Sequence, residues 1–360
     1  MSLNDTLLEG DRDFFMTIAK EKKMETVLVT GGTGFIGLHC LQQLLDQGYK
    51  VRTTIRSESR KSEVIDSMKE FSKHPENLEI FIADLLEDEG WKEAVTGCDF
   101  VLHVASPFFL GEPDNEDVFV KPAVEGTLRV LEACSDSEVK KVVLTSSMAA
   151  VGYGHAKEKN IFSEEDWSKT DGEISAYAKS KTLAEKAAWN YLKDLPEDKK
   201  FKLTVINPVA VTGPMLTDDI GSSNDFLLKL INGSMPACPK IHMGYIDVRD
   251  VAKAHISAMT NEQTDGERIL LSEREMFFAE VGVILKEAGF EKSPTKEMPN
   301  FLVKFMAIFV KELKGLLPSL NRIGEVDKTK AKKFFDWKLV TTEESVIESA
   351  KQLKEMGLME

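Results

Sequence analysis

Tyr177 and Lys181 stand four residues apart in Tyr177-Ala178-Lys179-Ser180-Lys181, a run that continues to Trp189 without glycine or proline. Its residue types favour helix, and on a helix the two side chains share a face one turn apart. An ammonium beside a phenol favours the phenolate and draws a tyrosine below its ordinary pKa of about 10. That tuning suits a tyrosine that gives a proton to a carbonyl oxygen. The same lysine can reach a ribose. The spacing alone is a weak signal, because Tyr153 and Lys157 match it too. That second pair sits in Gly152-Tyr153-Gly154-His155, a glycine-flanked loop unsuited to presenting one helical face. Ser147 follows an apolar strand, Lys141 to Thr145, and brings a hydroxyl able to bond a reacting carbonyl and its developing oxyanion. Ser146 is expected to point away, since side chains alternate along a strand.

These groups need a scaffold and a second reactant, and Val27 to Gly37 indicates both. A short apolar run, Val27-Leu28-Val29, leads into Thr30-Gly31-Gly32-Thr33-Gly34-Phe35-Ile36-Gly37, and a helix follows over His39 to Gln47. Strand, glycine turn and helix in that order form a dinucleotide-binding βα turn. Gly31 allows the sharp turn, Gly34 the close approach of a pyrophosphate, and Gly37 the packing of helix on strand. The helix start offers N–H donors and a positive dipole end. Gly31, Thr33, Gly34, Phe35, Ile36 and Gly37 are therefore candidate cofactor contacts. Gly32 completes G-x-G-x-x-G with Gly34 and Gly37, so the division of roles between Gly31 and Gly32 stays open.

Further strands are expected at Lys50 to Ile55, Leu78 to Ala83, Phe100 to Val104, Lys141 to Thr145 and Phe201 to Ile206, with helices between them. This alternation predicts an α/β fold with a Rossmann-type, doubly wound parallel sheet. The second strand ends at Arg56, where an NAD site usually carries an acidic residue. Arg56, with Arg60 or Lys61, suits the 2′-phosphate of NADP. Asp84-Leu85 closes the third strand, where Asp84 could meet the adenine or cap a following helix. Small residues in Val104-Ala105-Ser106 let the chain pass close to a cofactor. A helix is expected from about Pro122, a favourable first-turn proline. Beyond residue 208 the rhythm shortens. The expected organisation is an extension over 1–24, a dinucleotide-binding domain over 25–207 and a smaller C-terminal substrate-binding region over 208–360, some of whose segments return to the first domain.

Composition narrows the class. The net charge is −14 with no basic block, which argues against a nucleic-acid surface. Cys40, Cys98, Cys134 and Cys238 form no C-x-x-C pair and the histidines show no ligand spacing, so reduced thiols, no metal and a cytoplasmic setting are expected. No run approaches the roughly 18 apolar residues of a membrane span, and Phe301 to Val310, interrupted by Lys304, reads as an amphipathic helix. The start of the chain lacks a signal-peptide core.

The glycine turn, Ser147 and Tyr177-x-x-x-Lys181 together resemble the extended short-chain dehydrogenase/reductases. Lys121 to Thr127, Tyr177 to Trp189, Asn207-Pro208-Val209 and Asp247 to His255 resemble their dihydroflavonol reductase branch, which includes cinnamoyl-CoA reductases and yeast-type methylglyoxal and aldehyde reductases. Asp327 to Ala331, with Trp337, is similar to the closing element of extended members. The resemblance spans roughly residues 25 to 355. It implies Ser147, Tyr177 and Lys181 as a catalytic triad and NADP(H) as cofactor, with Pro208, Val211 and Ser223 towards the nicotinamide. It also implies a small carbonyl substrate for a monomer or homodimer. The cysteine- and tryptophan-containing motif of cinnamoyl-CoA reductases around the catalytic tyrosine is absent. Phe108, Phe109, Met148, Tyr153 and Met215 could line an apolar pocket or be ordinary core. Arg249, between Asp247 and Asp250, reads as an ion-pair clamp. Two rivals remain: an NAD-dependent sugar-nucleotide epimerase or dehydratase, against which Arg56 weighs, and an NADP-sensing protein, against which the tyrosine–lysine pair weighs.

Overall fold

The apolar runs assemble side by side. A computed structural model describes residues 24–106, 113 and 115–359. Phe108, Phe109 and nearly all of the N-terminal extension lie outside them. The principal sheet holds β1 (Thr26–Thr30), β2 (Lys50–Ile55), β3 (Leu78–Ile82), β4 (Phe100–His103), β5 (Lys141–Thr145), β7 (Lys202–Pro208) and β10 (Arg268–Leu271). β6 (Ile161–Phe162) lies outside it. The order is β10-β7-β5-β4-β1-β2-β3, with every pair parallel. The chain order reverses between β1 and β4. Ligands of such sheets sit at the carboxyl ends of the strands at that switch point.

Helices of ten or more residues cover both faces. α1 (Phe35–Asp46), α2 (Lys61–Phe71) and α6 (Val248–Thr260) share one core with β1, β2 and β4, through Leu41, Leu44, Met68, Val251 and Leu102. α3 (Asp117–Ser135) and α4 (Ala176–Asp194) close the other face around Leu28, Val101, Val130, Leu131, Val142 and Ala188. A third core joins α5 (Gly221–Ile231), α7 (Phe278–Glu287) and α8 (Thr342–Glu355) to β9 (His242–Asp247) and β11 (Arg274–Phe277). β9 pairs with β11 and with β8 (Ala210–Thr212), and β12 (Glu325–Val326) pairs with β6. The chain beyond residue 208 thus adds a strand and a helix to the first unit as well as forming its own.

Several expectations need correction. α1 begins at Phe35, four residues early, because Gly34 already serves as its cap. Pro122 lies inside α3 rather than in its first turn. The helix extends upstream because Val118 and Phe119 close turns onto the carbonyls of Asn115 and Glu116. Phe301 to Val310 is not one helix. Asn300–Met306 is helical, then Ile308 and Phe309 close tighter turns onto the carbonyls of Phe305 and Met306. Asp84 caps no helix, since the next one starts after Gly90, and its carboxylate accepts the Leu86 N–H at 3.0 Å in a local turn. Arg249 is an ion-pair clamp as expected, with Glu348 rather than Asp250 as its second partner. It grips Asp247 through two 2.8 Å bonds and Glu348 at 2.7 Å, while Asp250 accepts from Trp337 and Val340.

Candidate active site

The turn after β1 shows what each glycine does. Gly31 adopts φ +75°, and a Cβ there would come 3.0 Å from Ala105 Cα across the switch point. A Cβ on Gly32 would meet Thr53 Oγ1 at 2.1 Å, and one on Gly37 the Gly31 carbonyl oxygen at 2.3 Å. Gly31 therefore makes the turn, while Gly32 and Gly37 are needed for packing against β2 and against the turn itself. The first turn of α1 receives no side-chain cap, which leaves its N–H end for an anion. Ala105 N–H donates to Thr30 Oγ1 at 3.0 Å, so the β4 end is tied to the β1 end.

Arg56, just past β2, is exposed and has no ion-pair partner among the described residues. Arg60 is committed to Glu63, at 2.7 Å, and to Asp219, at 3.3 Å. Lys61 pairs with Glu58 at 2.9 Å, both well exposed, which is a weak tie. Leu85 packs against Gly126 of α3. Pro208 ends β7, and Val211 is buried in the α1–α6 core. Ser223 lies on α5, its side chain outside the described set. Met215 is core rather than pocket, buried with Leu227, Leu230 and Tyr245.

On the other flank, α4 starts cleanly because the Ser175 hydroxyl accepts the Ala178 N–H at 3.1 Å. Its inner face is small, with Ala178, Ala184 and Ala188 buried, and this lets the helix lie close to α3 and the sheet. Ser147 caps the short turn Met148–Ala150, its Oγ accepting from Ala149 N–H at 3.1 Å. The Ser147 hydroxyl and the Tyr177 phenol are hydrogen-bonded. Burial pushes the phenol above the ordinary tyrosine range, the bond to Ser147 pulls it down, and nearby Tyr153 adds an upward push. The downward pull expected from Lys181 is therefore not what sets this phenol; burial is its largest influence. Lys181 is brought down to about 8, chiefly by burial, with Glu185 opposing. Tyr153 lies in a loop, as its glycines imply, yet it stands beside Tyr177 and bonds Ser319.

Some site residues carried no motif. Ser146, expected to point away from the site, instead lines a small cavity with Lys181, Ala105 and Ser106 and donates to Glu185 Oε2 at 2.6 Å. Asn207 Nδ2 donates to the same oxygen at 2.8 Å and to the Ser147 carbonyl at 3.2 Å. Glu185 sits four residues past Lys181, and that spacing was the available signal.

The profile of the NAD dependent epimerase/dehydratase family matches residues 27–271. The chain belongs to that family. Within it, the chain groups with reductases. It is 38% identical over 268 residues to a cinnamoyl-CoA reductase of Medicago truncatula, covering 72% of this chain and 80% of that protein. It is 32% identical over 360 residues to the NADPH-dependent methylglyoxal reductase of Saccharomyces cerevisiae, covering 91% and 98%. The yeast methylglyoxal/isovaleraldehyde reductase complexed with NADPH superposes with a TM-score of 0.76 at 28% identity, covering 93% and 100%. Among the described residues, no helix is long and apolar enough to cross a membrane.

Proposed function

We propose that this chain reduces an aldehyde or ketone to the alcohol with NADPH. The observation that carries the reading is the hydrogen bond of Ser147 to the Tyr177 phenol, with Lys181 one turn along α4, on the same carboxyl edge of the parallel sheet as the uncapped glycine turn. The residues present suit a dinucleotide, since side chains at Gly31, Gly32 and Gly37 would fill or distort the turn. Gly31, Thr33, Gly34, Phe35, Ile36 and Gly37 would hold the pyrophosphate, and Arg56 with Lys61 the 2′-phosphate. Asp84 and Leu85 would flank the adenine. Val104, Ala105, Ser106, Pro208, Val211 and Ser223 would flank the nicotinamide side.

When bound, the cofactor supplies the hydride that the carbonyl carbon accepts. Ser147 holds the carbonyl oxygen. Tyr177, kept protonated at neutral pH by burial, donates its proton to that oxygen. Lys181 binds the ribose and offsets the charge left on the phenolate. Holding both reactants in contact supplies much of the acceleration. Met148 and Tyr153, with the region beyond residue 208, form the substrate side. The reductase activities named for the relatives, together with Arg56, favour this chemistry over epimerisation or dehydration. The test is loss of NADPH absorbance against a panel of aldehydes, ketones and 2-oxoaldehydes, repeated with NADH. Turnover confined to one carbonyl class and weaker with NADH is expected. Binding of NADPH with no turnover on any member would refute the reading.

A further inference from the structure

We propose that Glu185 is a positioning residue for this site: its buried carboxylate is the counter-ion that keeps Lys181 charged, and it locks α4 to the ends of β5, β7 and β10. The role of Lys181 rests on the reductase reading; the coupling between the two side chains does not.

Glu185 lies one turn beyond Lys181 on the inner face of α4, and its side chain has no exposure. Both of its oxygens are occupied. Oε2 accepts from Ser146 Oγ at 2.6 Å and Asn207 Nδ2 at 2.8 Å. Oε1 accepts from Arg268 Nε at 2.5 Å and from Trp189 Nε1 at 3.3 Å. Asn207 also donates to the Ser147 carbonyl, so one carboxylate fixes the strand end that presents Ser147 and the helix that presents Tyr177 and Lys181. Ser146, Lys181 and Glu185 line one small cavity with Ala105 and Ser106.

The carboxylate thus meets four donors, one of them the guanidinium of Arg268, which carries a permanent charge. Arg268 is held in turn, donating to the carbonyls of Glu164 and Asp166 at 2.6 and 2.8 Å and stacking on Trp167 at 3.7 Å. The charge of Glu185 thus acts on two cations, Arg268 and Lys181. Burial alone pulls Lys181 down, and Glu185 is the group that opposes it.

Among the described residues, the other titratable groups around the pair do not replace Glu185. His103 on β4 is held down near 3 by burial and by Lys181, and so is neutral. Tyr177 on α4 and Tyr153 in the adjoining loop are held up, and so are neutral. In the loop before α4, Asp166 pairs with Lys159 at 2.8 Å. Glu164 accepts the Leu270 N–H at 3.0 Å. The remaining cavity side chains, including Thr127 of α3, carry no charge.

The test follows the Lys181 Cε resonance in the full chain labelled with [13C]lysine, assigned by its loss in Lys181→Arg, across pH without cofactor. In Glu185→Gln the Lys181 midpoint should fall by about one pH unit or more. In Glu185→Asp, which keeps the charge on a shorter arm, it should stay within about half a unit of the wild type. In Arg268→Gln it should rise, because the carboxylate then serves one cation. The basic limb of the NADPH-dependent rate should move with it in each variant. An unmoved Lys181 midpoint in Glu185→Gln overturns the proposal, as does an equal shift in Glu185→Asp. Should Glu185→Gln not fold, Glu185→Ala decides in its place, a midpoint lower by about one pH unit or more supporting the proposal and no change overturning it. The expected midpoint shifts in a protein that never oxidises NADPH would retire the reductase reading while upholding the coupling.

Discussion

Gly37→Ala tests whether the cofactor turn is as tight as its geometry requires. The added Cβ would lie 2.3 Å from the Gly31 carbonyl oxygen and 3.2 Å from its carbon, both backbone atoms that no rotamer change can move. Carbon–heavy-atom contacts relax only beyond about 3.5 Å, so the start of α1 must retreat by roughly 1 Å. Overpacking of this kind costs about 1–3 kcal/mol, and a loss of about 2 kcal/mol lowers Tm by roughly 3 °C in a chain of 360 residues. The same retreat carries the N–H end of α1 away from the pyrophosphate, so NADPH should bind about tenfold or more weakly. Gly48→Ala is the control. Gly48 has φ +81° with nothing within 4 Å of a Cβ, so alanine there brings only left-handed strain of about 1–2 kcal/mol. Thermal melts and fluorescence titration with NADPH read both effects. Melting should fall in both variants, and affinity in Gly37→Ala alone. A Gly37→Ala protein that binds NADPH like the wild type would refute the reasoning.

Tyr177→Phe should cut turnover by about 10²–10⁴ while leaving NADPH affinity unchanged; turnover near the wild-type rate would remove Tyr177 from the mechanism. Arg56→Ala should weaken NADPH by about tenfold and leave NADH alone, and an equal loss for both dinucleotides would show that Arg56 does not read the 2′-phosphate. His39 and His255 are brought down to about 4 and His103 to about 3, chiefly by burial. Each is neutral in the fold, whereas the unfolded chain takes up its proton near pH 6.5. Their contribution is therefore complete above pH 6.5 and is lost as pH falls towards 4, by up to about 1.4 kcal/mol per pH unit for each histidine. Thermal melts from pH 7 to 5 should drop steadily and drop less in His255→Gln; equal slopes would contradict the assignment.

The sheet was legible because its strands are short apolar runs separated by helical ones, and β2 and β5 fall where the pattern places them. Tyr177 and Lys181 were legible because a helix fixes the meaning of a four-residue spacing. Tertiary packing was not. Pro122 carries a strong local preference for a helix start, yet turns formed upstream override it. Phe301 to Val310 has an amphipathic pattern but splits where tighter turns follow Met306. Glu185 reads as one more charge on a helix until Ser146, Asn207 and Arg268 arrive from three different strands or strand ends. Met215 could not be told from pocket lining, because composition does not say whether the chain after β8 turns into the third core. The pKa of Tyr177 depended on burial, which no spacing reports.

The central claim is hydride transfer to a carbonyl carbon, and isotope tracing tests it most directly. NADPH deuterated at the transferable position is incubated with the wild-type chain and the best substrate of the carbonyl panel, and the alcohol is analysed by mass spectrometry. The account predicts one deuterium on the carbinol carbon for each NADPH oxidised, with Tyr177→Phe slowing its appearance. Products free of deuterium, with NADPH unconsumed, would contradict the account and return the site to epimerase-type or sensing chemistry.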